Sequence, residues 1–176
     1  HYARIKSIDT SRVEALPGVI AVSTGQDAPN RFGVLPVTKD EHAMAVEKVR
    51  HVGDLVACVA AVDEATAIEA LSLFDIEWEE LEPVFDPKKG LEDHDEPIHW
   101  RGKYHLARTN VQKRVFQEFG DRSLVNSPHA SSHGSWTMAG VHHGFTEPHA
   151  VVAHWDPNGR LQIYTPQQVP HYTHRA

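Results

Sequence analysis

What the sequence lacks narrows its chemistry first. One cysteine, Cys58, stands alone among 176 residues. No disulfide can therefore form within the chain, and no cysteine cluster can hold zinc or an iron–sulfur centre. This usage suits a reducing compartment, so a cytoplasmic location is the expectation. No basic run occurs, and 17 Lys and Arg against 24 Asp and Glu leave a formal net charge of −7. Neither nucleic acid nor an anionic membrane surface is expected as a partner of so acidic a chain. The longest apolar run, LVACVAAV from Leu55 to Val62, falls far short of the ~20 residues that cross a bilayer. No signal-peptide pattern opens the chain, which starts at His1 rather than Met, and an N-terminal piece is expected to be missing. HEXXH is absent, no nucleophile-elbow glycines surround Ser131, Ser132 or Ser135, and no phosphate-binding glycine loop exists. These gaps remove the usual signatures of zinc peptidases, serine hydrolases and nucleotide-binding loops.

What is present reads as one compact domain or two small ones, with 40% hydrophobic and 23% charged residues,. YARIKSI alternates loosely and is expected as a strand. Thr10 or Ser11 is a candidate N-cap for a short helical turn that stops at Pro17-Gly18, and GVIAVSTG follows as a second strand,. Gly and Pro punctuate a loop from Gln26 to Val37,. KVRHVGDLVACVAAVD holds a strand, a Gly53-Asp54 turn and an apolar strand expected to be buried on both faces,. DEATAIEALSLF is the clearest helix, with Asp63 as N-cap and Ala67, Ala70, Leu71 and Phe74 at helical spacing,. Alternation then returns at Ile76 and Trp78, predicting a strand. Residues 1–82 thus form an α+β unit. Residues 83–110 carry prolines and charges without periodicity and are expected as a linker. Strand-like pieces follow in VQKRVFQEFG, SHGSWTMAG, AVVAHWDP and RLQIYTPQ, the last two joined by the Asp156-Pro-Asn-Gly159 turn signal,.

The stretch VHHGFTEPHAVVAHW, residues 141–155, concentrates four histidines and Glu147. A tetrahedral site needs about four converging ligands. His142 and His143 are adjacent, so on a strand they point to opposite faces. Pro148 interrupts the even spacing of His143, Glu147 and His149,. No metal site is expected, and histidines flanking a buried AVVA strand are the simpler reading. Glu147 can serve as a site carboxylate, or it can accept backbone hydrogen bonds that pin the following strand.

Several stretches together resemble a known family. HYARIKSIDTSRVEALPGVIAVSTGQDAP, KVRHVGDLVACVAAVDEATAIEAL and IEWEELEPVFDP resemble the α/β hammerhead domain of the large, molybdopterin-binding subunit of the xanthine dehydrogenase/aldehyde oxidase family. FGD at 119–121 with HHGFTEPHAVVAHWDPNGRLQIYTPQQVPH is similar to the opening of that subunit's molybdopterin-binding region. The resemblance implies an α/β hammerhead over 1–82, its first strand missing. It further implies a linker at 83–110 and the N-terminal part of a mixed α/β molybdopterin-binding domain at 111–176. RFGVLPVTKDEHAMAVEKVRHVGD is most like the 4-hydroxybenzoyl-CoA reductase branch. In the xanthine and aldehyde branches a glutamine two residues before the corresponding histidine approaches molybdenum. Val141 occupies that place here.

The resemblance implies reductive dehydroxylation of an aromatic acyl-CoA. Aldehyde or xanthine-type hydroxylation within the same family is one alternative, and a non-catalytic hammerhead assembly module is the other. The implied cofactor is molybdenum–molybdopterin, as the cytosine dinucleotide, with iron–sulfur and FAD on partner subunits or domains. The implied partners are the remaining molybdopterin-binding domains, those two subunits and a small aromatic or aldehyde substrate. Val141, His143, Phe145, Glu147 and Gln168 would lie near the pocket. No catalytic residue is expected in this chain, because the glycine-rich FGGK-type loop and terminal glutamate of the family do not occur in it. Alone, it is expected to be inactive.

Overall fold

The computed structural model describes residues 2–33, 39–99, 108–126 and 128–175. The backbone divides into two compact units, one ending at Lys113 and one running from Arg114 to Arg175.

In the first unit, β1 (Ala3–Asp9) is the middle strand of an antiparallel sheet ordered β5–β1–β7, with β5 at Lys48–Val49 and β7 at Asp75–Glu80. Its register pairs Ala3 with both Val49 and Glu80, and shifts between Ile5 and Ser7. Loose alternation in YARIKSI reflects this: one face of β1 packs into a cluster of Ala3, Ala45 and Val49, flanked by Ile5 and Val56, and the other faces solvent.

A second sheet pairs β2 (Val19–Thr24) antiparallel with β6 (Ala57–Ala61). Two helices pack on this ribbon. The first, α1 (Ser11–Glu14), buries Val13 completely, and α2 (Glu64–Leu71) buries Ala70. Asp63 caps α2 as expected: its Oδ1 accepts the Thr66 N–H at 2.8 Å,, and that bond holds the Asp63 carboxyl below its usual range.

Three expectations are met only in part or not at all. Thr10 takes the expected N-cap position of α1, but its hydroxyl donates to Glu14 Oε1, and Asp9 Oδ1 accepts the Ser11 N–H at 2.9 Å. A carboxylate is the stronger acceptor, so the neighbouring aspartate takes the role. The apolar run of β6 is not buried on both faces; Leu55 and Val62 at its ends are exposed, and exposure alternates along the strand. A two-stranded ribbon covered by helices on one side has only one face to bury. The α2 helix also stops at Leu71, which is exposed, so Leu71 and Phe74 do not extend the apolar stripe of Ala67 and Ala70.

The Gln26–Val37 loop contains a strand the sequence did not announce. Arg31–Phe32 (β3) pairs with Glu41–His42 (β4), while residues 34–38 lie outside the described residues. Near its start, Gly25 is required by close approach, since a Cβ there would run into the Ala45 carbonyl.

Part of the segment expected as a linker is tied to this unit. Lys48, only 7% exposed, donates from Nζ to Tyr2 Oη at 3.0 Å, Glu96 Oε1 at 2.7 Å and the Pro97 carbonyl at 2.6 Å. Arg4 holds the other Glu96 oxygen at 2.9 Å. Arg50 Nε donates to the Ile98 carbonyl at 3.0 Å. Asn110 Oδ1 accepts the Ile98 N–H at 2.8 Å, and the Asn110 N–H reaches the Gly90 carbonyl.

The second unit holds an antiparallel hairpin, β8 (Val152–Trp155) and β9 (Leu161–Tyr164), followed by α3 (Pro170–Arg175). Its turn follows the Asp-Pro-Asn-Gly signal. Asp156 Oδ1 accepts the N–H groups of Asn158 and Arg160, and Gly159 sits at φ +77°,. VQKRVFQEFG and SHGSWTMAG do not become strands within the described residues. Phe116, Trp136 and Met138 stay exposed. No helix of the described residues is long and apolar enough to cross a membrane.

Candidate cofactor-binding stretch

The stretch that carried the functional reading lies in the second unit, ahead of β8. Residues 141–149 follow an irregular path in which Gly144 takes φ +65°, a left-handed conformation that costs glycine nothing. This turn is closed by His142, whose Nδ1 accepts the Gly144 N–H at 3.0 Å. The accepting Nδ1 leaves the proton of the neutral ring on Nε2.

The turn brings three rings into a row. Phe145 lies 5.4 Å from the His142 ring, tilted by 40°, and 5.6 Å from the His149 ring in an edge-on contact. The His143 ring stands 6.4 Å from that of His142, nearly perpendicular. Offset and edge-on contacts of this kind favour aromatic pairs. The row presents a partly apolar, stepped face on an otherwise polar stretch.

The expected pocket residues are placed unevenly. Val141, His143, Phe145 and Glu147 share this one stretch, and Gln168 sits in the bend before α3. Glu147 makes no hydrogen bond or ion pair among the described residues, so it does not pin β8, contrary to one of its two expected roles. The AVVA strand beside it is exposed rather than buried: Val151 and Val152 both face solvent. A lone hairpin has no second layer to cover either of its faces. Among the described residues no group of three or more His, Cys, Asp and Glu side chains comes together as a metal site.

A molybdopterin needs backbone and side-chain donors converging from several directions. All of residues 141–150 are exposed, so this stretch offers one edge of a binding surface and encloses nothing. The open space around Gly140 and Gly144 would admit a flat ligand to the backbone. The described residues of this unit therefore do not by themselves fit the group as a complete site.

The comparisons with known proteins follow both units. Residues 1–82 match the aldehyde oxidase and xanthine dehydrogenase a/b hammerhead domain, and residues 105–176 match the molybdopterin cofactor-binding domain. The chain belongs to the xanthine dehydrogenase/aldehyde oxidase family. Its fold is a hammerhead domain followed by the start of a molybdopterin-binding domain. The large molybdopterin subunit of nicotinate dehydrogenase from Eubacterium barkeri is 35% identical over 97% of this chain, which spans 39% of that subunit. A Cu,Mo-CO dehydrogenase structure superposes with a TM-score of 0.75 at 30% identity, covering 99% of this chain and 24% of the other. The aldehyde oxidoreductase of Desulfovibrio gigas gives 0.72 at 28% identity, covering 93% and 19%. The family consists of molybdopterin oxidoreductases, and molybdenum is its cofactor metal.

Sequence reasoning passed over one feature of the first unit: the charged cluster around Lys48 and Glu96. Its members lie between Tyr2 and Pro97 without any motif spacing. A lysine between Glu47 and Val49 in the short run AVEKV was the only local signal available.

Proposed function

We propose that this chain forms part of the large subunit of a molybdenum hydroxylase that oxidises a heteroaromatic or aldehyde carbon, with water as the source of oxygen. The observation that carries the proposal is the 35% identity to the nicotinate dehydrogenase large subunit across 97% of the chain. The molybdenum cofactor, as the cytosine dinucleotide, supplies the redox chemistry; iron–sulfur and FAD subunits carry the electrons away. Within the chain, 1–82 is the hammerhead, 83–110 the connection and 111–176 the first part of the cofactor domain. Val141, His143, Phe145, Glu147 and Gln168 lie near the pocket, where the Phe145 row lends an aromatic wall and Glu147 an acceptor. Val141 leaves that wall without an amide near the metal.

A second reading, reductive dehydroxylation of an aromatic acyl-CoA, draws on Val141 and on the RFGVLPVTKDEHAMAVEKVRHVGD segment. The two are separated by purifying the complete native assembly, measuring its molybdenum, and assaying both directions with artificial electron carriers. Molybdenum content with oxidation of nicotinate-like acids or aldehydes, and incorporation of labelled oxygen from water, is the expected result. Turnover confined to reduction of 4-hydroxybenzoyl-CoA would favour the second reading, and an assembly without molybdenum would overturn both.

A further inference from the structure

We propose that the first unit carries a binding site for a small oxyanion, a carboxylate or a phosphate, formed by Arg31, His42 and Arg50. This site lies in a cavity of about 190 Å³ bordered by β3, β4 and β5. A neighbouring cavity of about 210 Å³ shares His42 and Arg50 with it.

The charges around the first cavity are unevenly matched. Lys48 and Arg4 are both engaged by Glu96, at 2.7 and 2.9 Å. Asp40 is engaged by His99 at 3.1 Å. Among the described residues, Arg31 and Arg50, by contrast, meet no carboxylate within ion-pair distance. Arg31 donates Nε to His42 Nε2 at 3.3 Å; Arg50 spends Nε on the Ile98 carbonyl and Nη1 on the Lys48 carbonyl at 3.5 Å. Both guanidinium groups therefore keep donors for a further acceptor, and the planar fork of arginine suits a carboxylate or phosphate.

His42 registers the resulting field. Because its Nε2 accepts from Arg31, its proton sits on Nδ1. That atom is shut off from solvent without a hydrogen-bond partner, although the Pro29 carbonyl lies near enough to favour a protonated ring. Burial first, then the charges of Arg31 and Arg50, press the ring toward the neutral form, and Glu47 opposes them with a smaller effect. Three groups on separate elements thus converge in a cavity lined by Arg4, Arg31, Lys48 and Arg50 against the carboxylates of Asp40, Glu47 and Glu96, a surplus of one positive charge. An oxyanion there would complete the two forks and favour the imidazolium, whose Nε2–H can no longer accept from Arg31 Nε, so that donor turns to the anion.

The test uses the full chain and the ring resonances of His42, assigned by their loss in His42→Asn. Inorganic phosphate and acetate are titrated separately at constant ionic strength, with chloride as the balancing salt. A saturable change in the His42 resonance, with its titration moved to higher pH, is the expected result. Which of the two anions saturates first identifies the source. Arg31→Gln should weaken binding about tenfold, the scale of one charge-assisted hydrogen bond, and Arg50→Gln by a similar factor. Lys6→Gln, a surface change outside the cavity, should leave it unaltered. Arg31 is exposed, so its substitution keeps the test valid should Arg50→Gln fail to fold. A response that chloride reproduces, or unchanged binding in Arg31→Gln, would overturn the proposal.

Discussion

Replacing Glu96 by alanine should destabilise the first unit more than replacing Lys48 by methionine. Lys48 has an almost buried side chain, at 8% exposure, whereas that of Glu96 is 37% exposed. Glu96→Ala strands an ammonium group with only the Tyr2 hydroxyl and Pro97 carbonyl as acceptors. Breaking a buried pair from one side costs about 3–5 kcal/mol. The solvent reaching Glu96 and the two remaining acceptors reduce this to about 2–3 kcal/mol. Lys48→Met removes the buried charge itself and leaves Glu96 bonded to Arg4 and water, at about 1 kcal/mol. The double variant should then resemble Lys48→Met, which gives a coupling of about 2 kcal/mol. Thermal unfolding, followed through the exchange protection of β1 amides, reads these as midpoint losses of roughly 4 °C per kcal/mol. The pH dependence has a fixed sign. Lys48 and Arg4 hold the Glu96 carboxyl below its ordinary value of 4.5, so its contribution is full above that pH and disappears as pH falls through the lowered value. Equal losses in the two single variants, or a larger one in Lys48→Met, would refute the idea that burial of the ammonium decides the energetics.

Three further outcomes follow from the same structure. Val13, the wholly buried residue of α1, should cost about 2 kcal/mol on truncation to alanine, read as a lower denaturant midpoint with an unchanged slope. Asp63→Ala should lower the exchange protection of the first turn of α2, while Asp63→Asn should preserve it, because the Thr66 N–H needs only an acceptor,. Raising salt from 0.1 to 1 M shortens the screening length from about 10 to 3 Å. Coupling in an Arg108/Asp95 double-variant cycle, an exposed contact of 2.8 Å, should fade with that change, while coupling between Lys48 and Glu96 persists.

Features encoded within a few residues were legible in the sequence. Asp63 announces α2 because a cap acts over three residues, and Asp156-Pro-Asn-Gly159 announces the β8–β9 hairpin because turn chemistry is equally local. Features that depend on neighbours were not. An apolar run such as LVACVAAV states that burial is favourable, but it cannot state how many faces a strand will find covered. VQKRVFQEFG and SHGSWTMAG show the same gap: strand propensity expresses fitness for a pleated surface, and without pairing it produces none. The bond from Lys48 to Glu96 joins positions 48 residues apart, beyond any pattern of period 2 or 3.6. The histidine stretch was readable as a family signature, yet its geometry turned on the φ of Gly144 and one bond from His142, which residue spacing does not express.

The weight placed on Lys48 has a cause in the composition of the core. Among the described residues, the buried apolar side chains are Tyr2, Ala3, Val13, Ala45, Val49, Ala70 and Pro97, three of the seven being alanines. Each alanine contributes little apolar area to the stabilisation that burial provides. A core of such small side chains has limited means of holding residues 96–98 by packing alone. Those residues are held instead through polar contacts: Glu96 to Lys48 and Arg4, Pro97 to Tyr2 and Lys48, Ile98 to Arg50 and Asn110. Polar contacts of this kind demand definite partners in definite directions, whereas apolar burial tolerates shifts. Glu96 is shared by two cations, and among the described residues Arg31 and Arg50 beside it have no carboxylate within ion-pair distance. A segment fixed by charge therefore borders a cavity lined by four cationic side chains and three carboxylates.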